Sequence, residues 1–479
     1  MKKLEFLLVG LILLFAFSAR LYRINNPIAD WHSWRQADTA AVARNFVKDH
    51  FNPLYPQSDS FLALNEYGLQ NPNRYFINEF PLYNSIVALL YMQFGINTQI
   101  ARLVSIFFAT VGTLFLYLIA KKLFNFKVAI ISTLFYALNP YNIYYGRVIM
   151  PDPAFISFSI ASIYFCLKWV DTKKLSQAIL LTIFFALAML VKPYAIFLAI
   201  PIFYWLFVNW GKKLLQSPQT YIVLIGSFVP LVLWRLHVHF HPEGTFATSW
   251  LFNGNNIRFS GAFFRWLIFE RLNKLIFAAG GFVLLFFGLS KSHQSKNGLF
   301  IFIWFLSVIL YMTVFAMGNV THDYYQLPVM PVGSILVGLG FFTLVNFAKS
   351  YYGKVINFFL AVGLIGISLA FGWYQARDFF NINRPAIVEA GKKVDEILPK
   401  DALVIAPYQG DPAFLYQTNR HGYPVVNQPL ESYIDQGIKY LVSVEVDDMG
   451  IKNLKSHCNV LAQSQDYVIL ELFKECIGK

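Results

Sequence analysis

The chain has 479 residues, of which 57% are hydrophobic and only 14% charged, against about 25% charged in soluble domains. Apolar runs long enough to cross a bilayer, about 17–25 residues, recur from residue 5 to residue 374. This excludes a soluble enzyme, and the net charge of +13 is read as membrane orientation and contact with anionic head groups, not nucleic-acid binding.

In chain order, Lys2-Lys3 precedes a first apolar run, residues 5–20. It is read as a retained span, although Ala16-Phe17-Ser18 would pass as a signal-peptide cleavage site. Further spans are expected at 100–120, 128–145, 153–170, 176–191, 193–210, 219–236, 274–290, 298–317, 326–347 and 355–374. The run 80–95 is short for a crossing and holds Asn84 and Gln93, so it is expected to lie at the interface.

Lysines cluster at Lys2-Lys3, Lys121-Lys122-Lys127, Lys168-Lys173-Lys174, Lys212-Lys213, Lys291-Lys296 and Lys349-Lys354. Placing all six groups on the cytoplasmic side lets eleven spans alternate without conflict. The N-terminus is then inside and the C-terminal region outside, in a plasma (inner) membrane. All 14 arginines fall outside or at outer span ends, whereas 14 of the 25 lysines are inside. Arginine's planar, permanently charged fork suits phosphate.

Residues 21–99 form a long first outer loop, and loops of this length are usually functional. A second large outer segment runs from His237 to Asn273. The membrane domain covers residues 1–375. From 376 to 479 the composition is that of a small soluble α/β extracytoplasmic domain, with a helix from Arg384 to Leu398, strands at Leu403–Ala406, Tyr440–Val444 and Tyr467–Phe473, and a short helix from Gly410 to Gln417. Cys458 and Cys476 flank the last strands and would pair in an oxidising space. Cys166 lies in an apolar run as a small core residue.

The polar residues on the outer side form the candidate site. Residues 37–48 have helical spacing, which puts Asp38 in a first turn, where it either complements the helix dipole or serves as a general base with a pKa raised by partial burial. Asp30, His32 and Arg35 stand close in sequence. Tyr144-Tyr145-Gly146-Arg147 leads to Asp152 between two prolines, where Arg147 either pairs with Asp152 or holds a phosphate oxygen. Lys192 lies between two long apolar runs, a costly place for a charge unless it is paired or reaches water. His322, Tyr324 and Tyr325 at a span mouth suit a sugar or phosphate, or are ordinary interfacial residues. His237, His239 and His241 alternate, and on a strand they would share one face as a metal site might. No cofactor is expected, and a divalent metal is not supported.

The ordered set of motifs resembles the GT-C type of membrane glycosyltransferase, within the broad family of protein O-mannosyltransferases and the lipid A aminoarabinose transferase (glycosyltransferase families 39 and 83). The resemblance covers residues 1–375. It rests on the acidic outer loop, Glu79-Phe80-Pro81-Leu82-Tyr83, Ala101-Arg102-Leu103, Lys121-Lys122-Leu123-Phe124, Tyr145-Gly146-Arg147 with Asp152, Lys192-Pro193, and Tyr324-Tyr325 through Pro331.

What the resemblance implies is an inverting glycosyltransferase that moves a sugar from a polyprenyl-phosphate donor to a hydroxyl of a lipid, glycan or protein acceptor on the outer face. Asp38, or else Asp30, would be the base; Arg35, Arg147 and Lys192 would hold the phosphate, with Asp152, His322, Tyr324 and Tyr325 as further substrate contacts. The chain departs from the family at one place: matching Ala43-Arg44 without gaps puts Arg35-Gln36 where many relatives carry an Asp-Glu pair. The rival reading is a transporter or flippase of lipid-linked sugars, which would place binding residues near the midplane on broken, repeated helices.

Overall fold

The computed structural model describes residues 2–477. The chain forms two compact units. One comprises the residues up to Ile24, Leu103–His237 and Thr248–Asp378; the other comprises Asn25–Arg102, Val238–Ala247 and the residues from Phe379 onward.

The first unit is helical, and each of the eleven expected apolar runs falls on helical structure. By length and composition, six helices among the described residues suffice to cross a membrane: Thr98–Leu123, Asp152–Thr172, Pro193–Gln216, Pro218–His239, Lys296–Val314 and the run beginning at Tyr351. Leu175–Val191 and Val329–Val345 have 17 residues each. They rise about 25 Å, a little under a ~30 Å hydrocarbon core, so the eleven-span reading requires these shorter helices to cross as well. Leu82–Phe94, the run expected at the interface, has only 13 residues.

Two expected spans are interrupted: 128–145 at Asn139, between Phe126–Leu138 and Pro140–Tyr145, and 274–290. Gly261–Ile276 and Gly280–Ser292 meet at 114°. The chain turns through Ala278 and Ala279, both at positive φ, a conformation that alanine rarely adopts. The second helix of this pair packs backbone to backbone on Val329–Val345. A Cβ on Gly288 would stand 2.0 Å from the Leu336 carbonyl oxygen, and one on Gly340 would stand 1.8 Å from that of Leu284. Small residues permit such approach where the surrounding lipid supplies no hydrophobic drive for helices to associate.

The second unit is built on a five-stranded sheet of β1 (Leu403–Ile405), β2 (His421–Tyr423), β3 (Tyr440–Ser443), β4 (Asn459–Gln463) and β5 (Val468–Glu471), in the order β2-β1-β3-β5-β4. β1 runs parallel to β2 and β3, while β5 is antiparallel to β3 and β4. Ile405, Leu441, Val468 and Leu470 form its core with Tyr433. The helix Pro385–Ile397 buries Ile387, Ala390 and Val394, whereas Ile397, which the sequence pattern had put on that face, is 38% exposed. Cys458 and Cys476 are disulfide-bonded, and Cys166 is free and buried.

Residues of the first loop extend this sheet at β2. Phe61 N donates to Gly422 O and Gly422 N to Asp59 O, both at 3.0 Å. The helix Ser33–Lys48 rests on Ala413–Thr418: Arg44 donates to the Tyr416 carbonyl at 3.1 Å and lies 4.1 Å above the Tyr416 ring.

Candidate functional site

Asp38 lies on the helix Ser33–Lys48. This helix starts four residues earlier than the spacing predicts, so Asp38 belongs to the second turn and the first turn holds no acid. Helix-dipole complementarity, which acts within the first turn, therefore does not account for it. Its side chain is buried and lines a cavity of about 160 Å³ with Trp34, Ser60, Tyr75, Thr245 and Phe246. Among the described residues none makes a hydrogen bond or ion pair to its carboxylate. Burial pushes the carboxyl up to about 8 against the pull of Arg35, and Asp411 and Asp59 push in the same direction as burial.

The acids around Asp38 differ in state. Burial raises Asp411 to about 6, although Ala413 N and the Ser33 hydroxyl donate to it. For Asp59 burial works upward too, but the ion pair with Arg44 and contacts from His421 and Asn45 hold it below the usual carboxylate range. Burial thus raises Asp38 and Asp411 while partners hold Asp59 low, a condition that separates acid and base roles.

Asp30 and Arg35 are both committed to neighbours. Gln36 Nε2 donates to Asp30 Oδ1 at 2.6 Å, and Arg102 Nη2 lies 3.9 Å from Asp30 Oδ2, all buried. Arg35 forms an ion pair with Glu79. Arg35 and Gln36 thus both contact acids.

The remaining candidates belong to the helical unit. Asn139 caps the short helix Pro140–Tyr145, accepting from Asn142 N. The turn that follows carries Arg147, fully buried, with Nη1 donating to the Arg23 carbonyl at 2.7 Å. Asp152 is the first residue of its helix, after Pro151, and its Oδ2 is 3.8 Å from Lys192 Nζ. Pairing thus explains how the lysine is accommodated between two apolar runs. His322, Tyr324 and Tyr325 form an aromatic stack, the His322 and Tyr324 rings 5.4 Å apart. Tyr325 continues to Tyr194, which stacks on Tyr311 at 4.6 Å.

Sequence reasoning missed Asp323 and Arg271 as a pair. Arg271 Nη1 lies 3.8 Å from Asp323 Oδ2, Tyr145 bonds the same carboxylate, and Tyr141 donates to the Asp323 carbonyl at 2.7 Å. The signal was an arginine three residues before an expected span. It also missed Glu79, Asp59 and Asp411 around Asp38. His237 and His239 lie in the helix Pro218–His239, not on a strand, so the alternation carries no common face. Among the described residues no group of three or more His, Cys, Asp or Glu could hold a metal ion.

Residues 78–234 match the model of a family described as dolichyl-phosphate-mannose-protein mannosyltransferase. No curated protein matches the chain significantly. Among solved structures, ArnT from Cupriavidus metallidurans bound to undecaprenyl phosphate is 13% identical, with a TM-score of 0.67 over 99% of this chain and 98% of that one. The oligosaccharyltransferase AglB from Archaeoglobus fulgidus, in complex with an inhibitory peptide and a dolichol-phosphate, is 11% identical, with a TM-score of 0.58 over 93% and 70%. Arabinofuranosyltransferase AftD from Mycobacteria is 14% identical, with a TM-score of 0.54 over 92% of this chain and 36% of that one. These likenesses give the fold, that of ArnT and AglB, and the mannosyltransferase match covers residues 78–234 within it.

Proposed function

We propose that the chain transfers a sugar from a polyprenyl-phosphate donor to an acceptor hydroxyl, inverting the anomeric carbon, with Asp38 as the base. The observation that carries this is the buried Asp38 carboxylate, free of hydrogen-bond partners among the described residues and lining a cavity. Asp30, held by Gln36 and Arg102, is the weaker candidate, because a base must be able to take a proton without first giving up a buried partner. The donor class follows the undecaprenyl phosphate and dolichol-phosphate bound by the structurally similar ArnT and AglB.

In the proposed reaction Asp38 takes the acceptor's hydroxyl proton. The oxygen attacks the anomeric carbon from the face opposite the phosphate, forming the new C–O bond. The bond from that carbon to the phosphate oxygen breaks, and its electrons leave with the polyprenyl phosphate. Arg147 and Lys192 receive the charge that grows on the leaving phosphate, the kind of preorganised stabilisation that supplies much of the rate in such steps. Arg271 is a further candidate for that task, whereas Arg35, paired with Glu79, is better placed to act on Asp38. The aromatic stack of His322, Tyr324 and Tyr325 is assigned to substrate contact. Phe155, Tyr194, Phe197, Trp304 and Tyr311 line a narrow apolar crevice whose chemistry suits an isoprenoid chain.

The reaction is assigned to the outer face of the plasma (inner) membrane, with the N-terminus cytoplasmic. The lysine distribution supports this, and so does the Cys458–Cys476 bond, since disulfides persist in oxidising spaces. The assay incubates the purified protein with polyprenyl-phosphate sugars and acceptors and follows release of polyprenyl phosphate. Lipid movement across vesicles without any turnover would favour the transporter instead.

A further inference from the structure

The cavity beside Asp38 holds more information than the identity of the base. Its volume of about 160 Å³ is close to the ~150 Å³ of an engineered cavity that takes a benzene ring. One six-membered ring fits; a polypeptide segment or a long chain does not. The walls combine two chemistries. Trp34, Tyr75 and Phe246 supply flat apolar faces, and Ser60, Thr245 and Asp38 supply oxygens.

Those oxygens are not spent on one another. Ser60 Oγ accepts from Leu62 N at 3.0 Å, which leaves its proton available to donate. Thr245 Oγ1 donates to the Pro242 carbonyl at 2.8 Å, which leaves it able to accept. Asp38 can accept at both oxygens. A ligand that matches this set must present several hydroxyls around a ring with apolar faces. A purely apolar ligand would bury these groups unmatched, at a cost of about 1–3 kcal/mol each.

Charge narrows the class further. No lysine, arginine or histidine is among the described residues that line the cavity. Asp411, between the lining residues Gly410 and Pro412, and Asp59 both act electrostatically on Asp38. Arg35 also acts on Asp38, but it is paired with Glu79, so an anionic acceptor would meet more carboxyls than cations.

We infer that this cavity is the acceptor site and that the acceptor is a neutral pyranose, the exposed residue of a glycan, seated on Trp34, Tyr75 and Phe246 with one hydroxyl on Asp38. The inference rests on the reading of Asp38 as the base, but its test is binding and does not require turnover.

Full-length protein in detergent is mixed with methyl glucoside, methyl galactoside, methyl mannoside, methyl glucuronide and a short serine/threonine peptide, and contact is read by saturation-transfer NMR. At least one neutral glycoside should bind at millimolar concentration, with glucuronide at least tenfold weaker. Phe246→Ala should abolish binding and Ser60→Ala should weaken it severalfold. Asp38→Asn, which keeps shape and an acceptor oxygen, should still bind. Phe246→Leu is the second variant should the alanine form fail to fold, and it should weaken binding by removing the flat face.

The inference is overturned if no neutral glycoside binds at tens of millimolar. Equal binding of glucuronide, peptide binding in preference to glycoside, or indifference to both Phe246 variants would also overturn it. Glycoside binding together with full transfer activity in Asp38→Asn would instead remove the catalytic reading and leave the pocket assignment standing.

Discussion

Lys192 Nζ lies 3.8 Å from Asp152 Oδ2 with both side chains buried. The lysine therefore has a structural duty as well as the proposed one at the phosphate. Removing one partner of a buried pair typically costs about 3–5 kcal/mol, because the other charge is left in the interior. Lys192→Ala should accordingly lower the thermal unfolding midpoint and donor affinity together. The neutral double variant Lys192→Met with Asp152→Asn should recover most of the stability but not the affinity for polyprenyl phosphate. Recovery of both would remove Lys192 from the donor site.

Asp38 carries the clearest pH prediction. Its carboxyl is pushed up to about 8, and only the deprotonated form can accept a proton. In the free protein kcat/KM should therefore rise with pH through a single ionisation near 8 and level off above it, since this quantity reports the free enzyme's groups. Asp38→Asn should abolish that limb and lower transfer by about 10²–10⁴-fold, the usual contribution of a general base. Because the carboxylate is held at a desolvation cost, the variant should melt no lower than the natural protein. A flat profile from pH 6 to 9 in the natural protein would argue against Asp38.

Arg35 allows an independent check on the same group. Its charge lowers the Asp38 pKa, and its ion pair keeps Glu79 neutralised. Arg35→Gln withdraws a cation and exposes an anion, and both changes disfavour the Asp38 carboxylate. The rising limb should move to higher pH, while activity well above the limb stays closer to that of the natural protein. A fall in activity at all pH values, with the limb unmoved, would instead assign Arg35 to substrate binding.

The membrane helices were legible because apolar length is a direct record of solvent. The break at Ala278–Ala279 was missed: Gly280-Gly281 just after it carry a turn signal, but the positive φ values fall on the two alanines before them. β1, β3 and β5 were readable from their apolar runs. β2, His421–Tyr423, was invisible because three residues with a central glycine have no alternation, and it is defined by its partners in β1 and at residues 59–61. Asp38 and Asp30 were both visible as acids near a helix start, but their difference was not. That difference comes from Gln36 and Arg102, which hold Asp30. Spacing alone also hid Glu79 and Asp411, which reach the site from remote segments. Arg35 and Gln36 contact Glu79 and Asp30 respectively, one by an ion pair and the other by a hydrogen bond.

The bond between Cys458 and Cys476, 18 residues apart, makes a prediction about both stability and location. Closing a loop of this size restricts the unfolded chain and contributes on the order of 3 kcal/mol in the loop-entropy view. Reductant should lower the unfolding midpoint of the natural protein and have no effect on a Cys458→Ser, Cys476→Ser double variant. Thiol counting tests the bond itself, because the chain has three cysteines and Cys166 is free and buried. Protein denatured in excess maleimide should bind one label without prior reduction and three after it. Three labels without reduction would dismiss the bond, and with it the disulfide argument that the C-terminal segment faces an oxidising space.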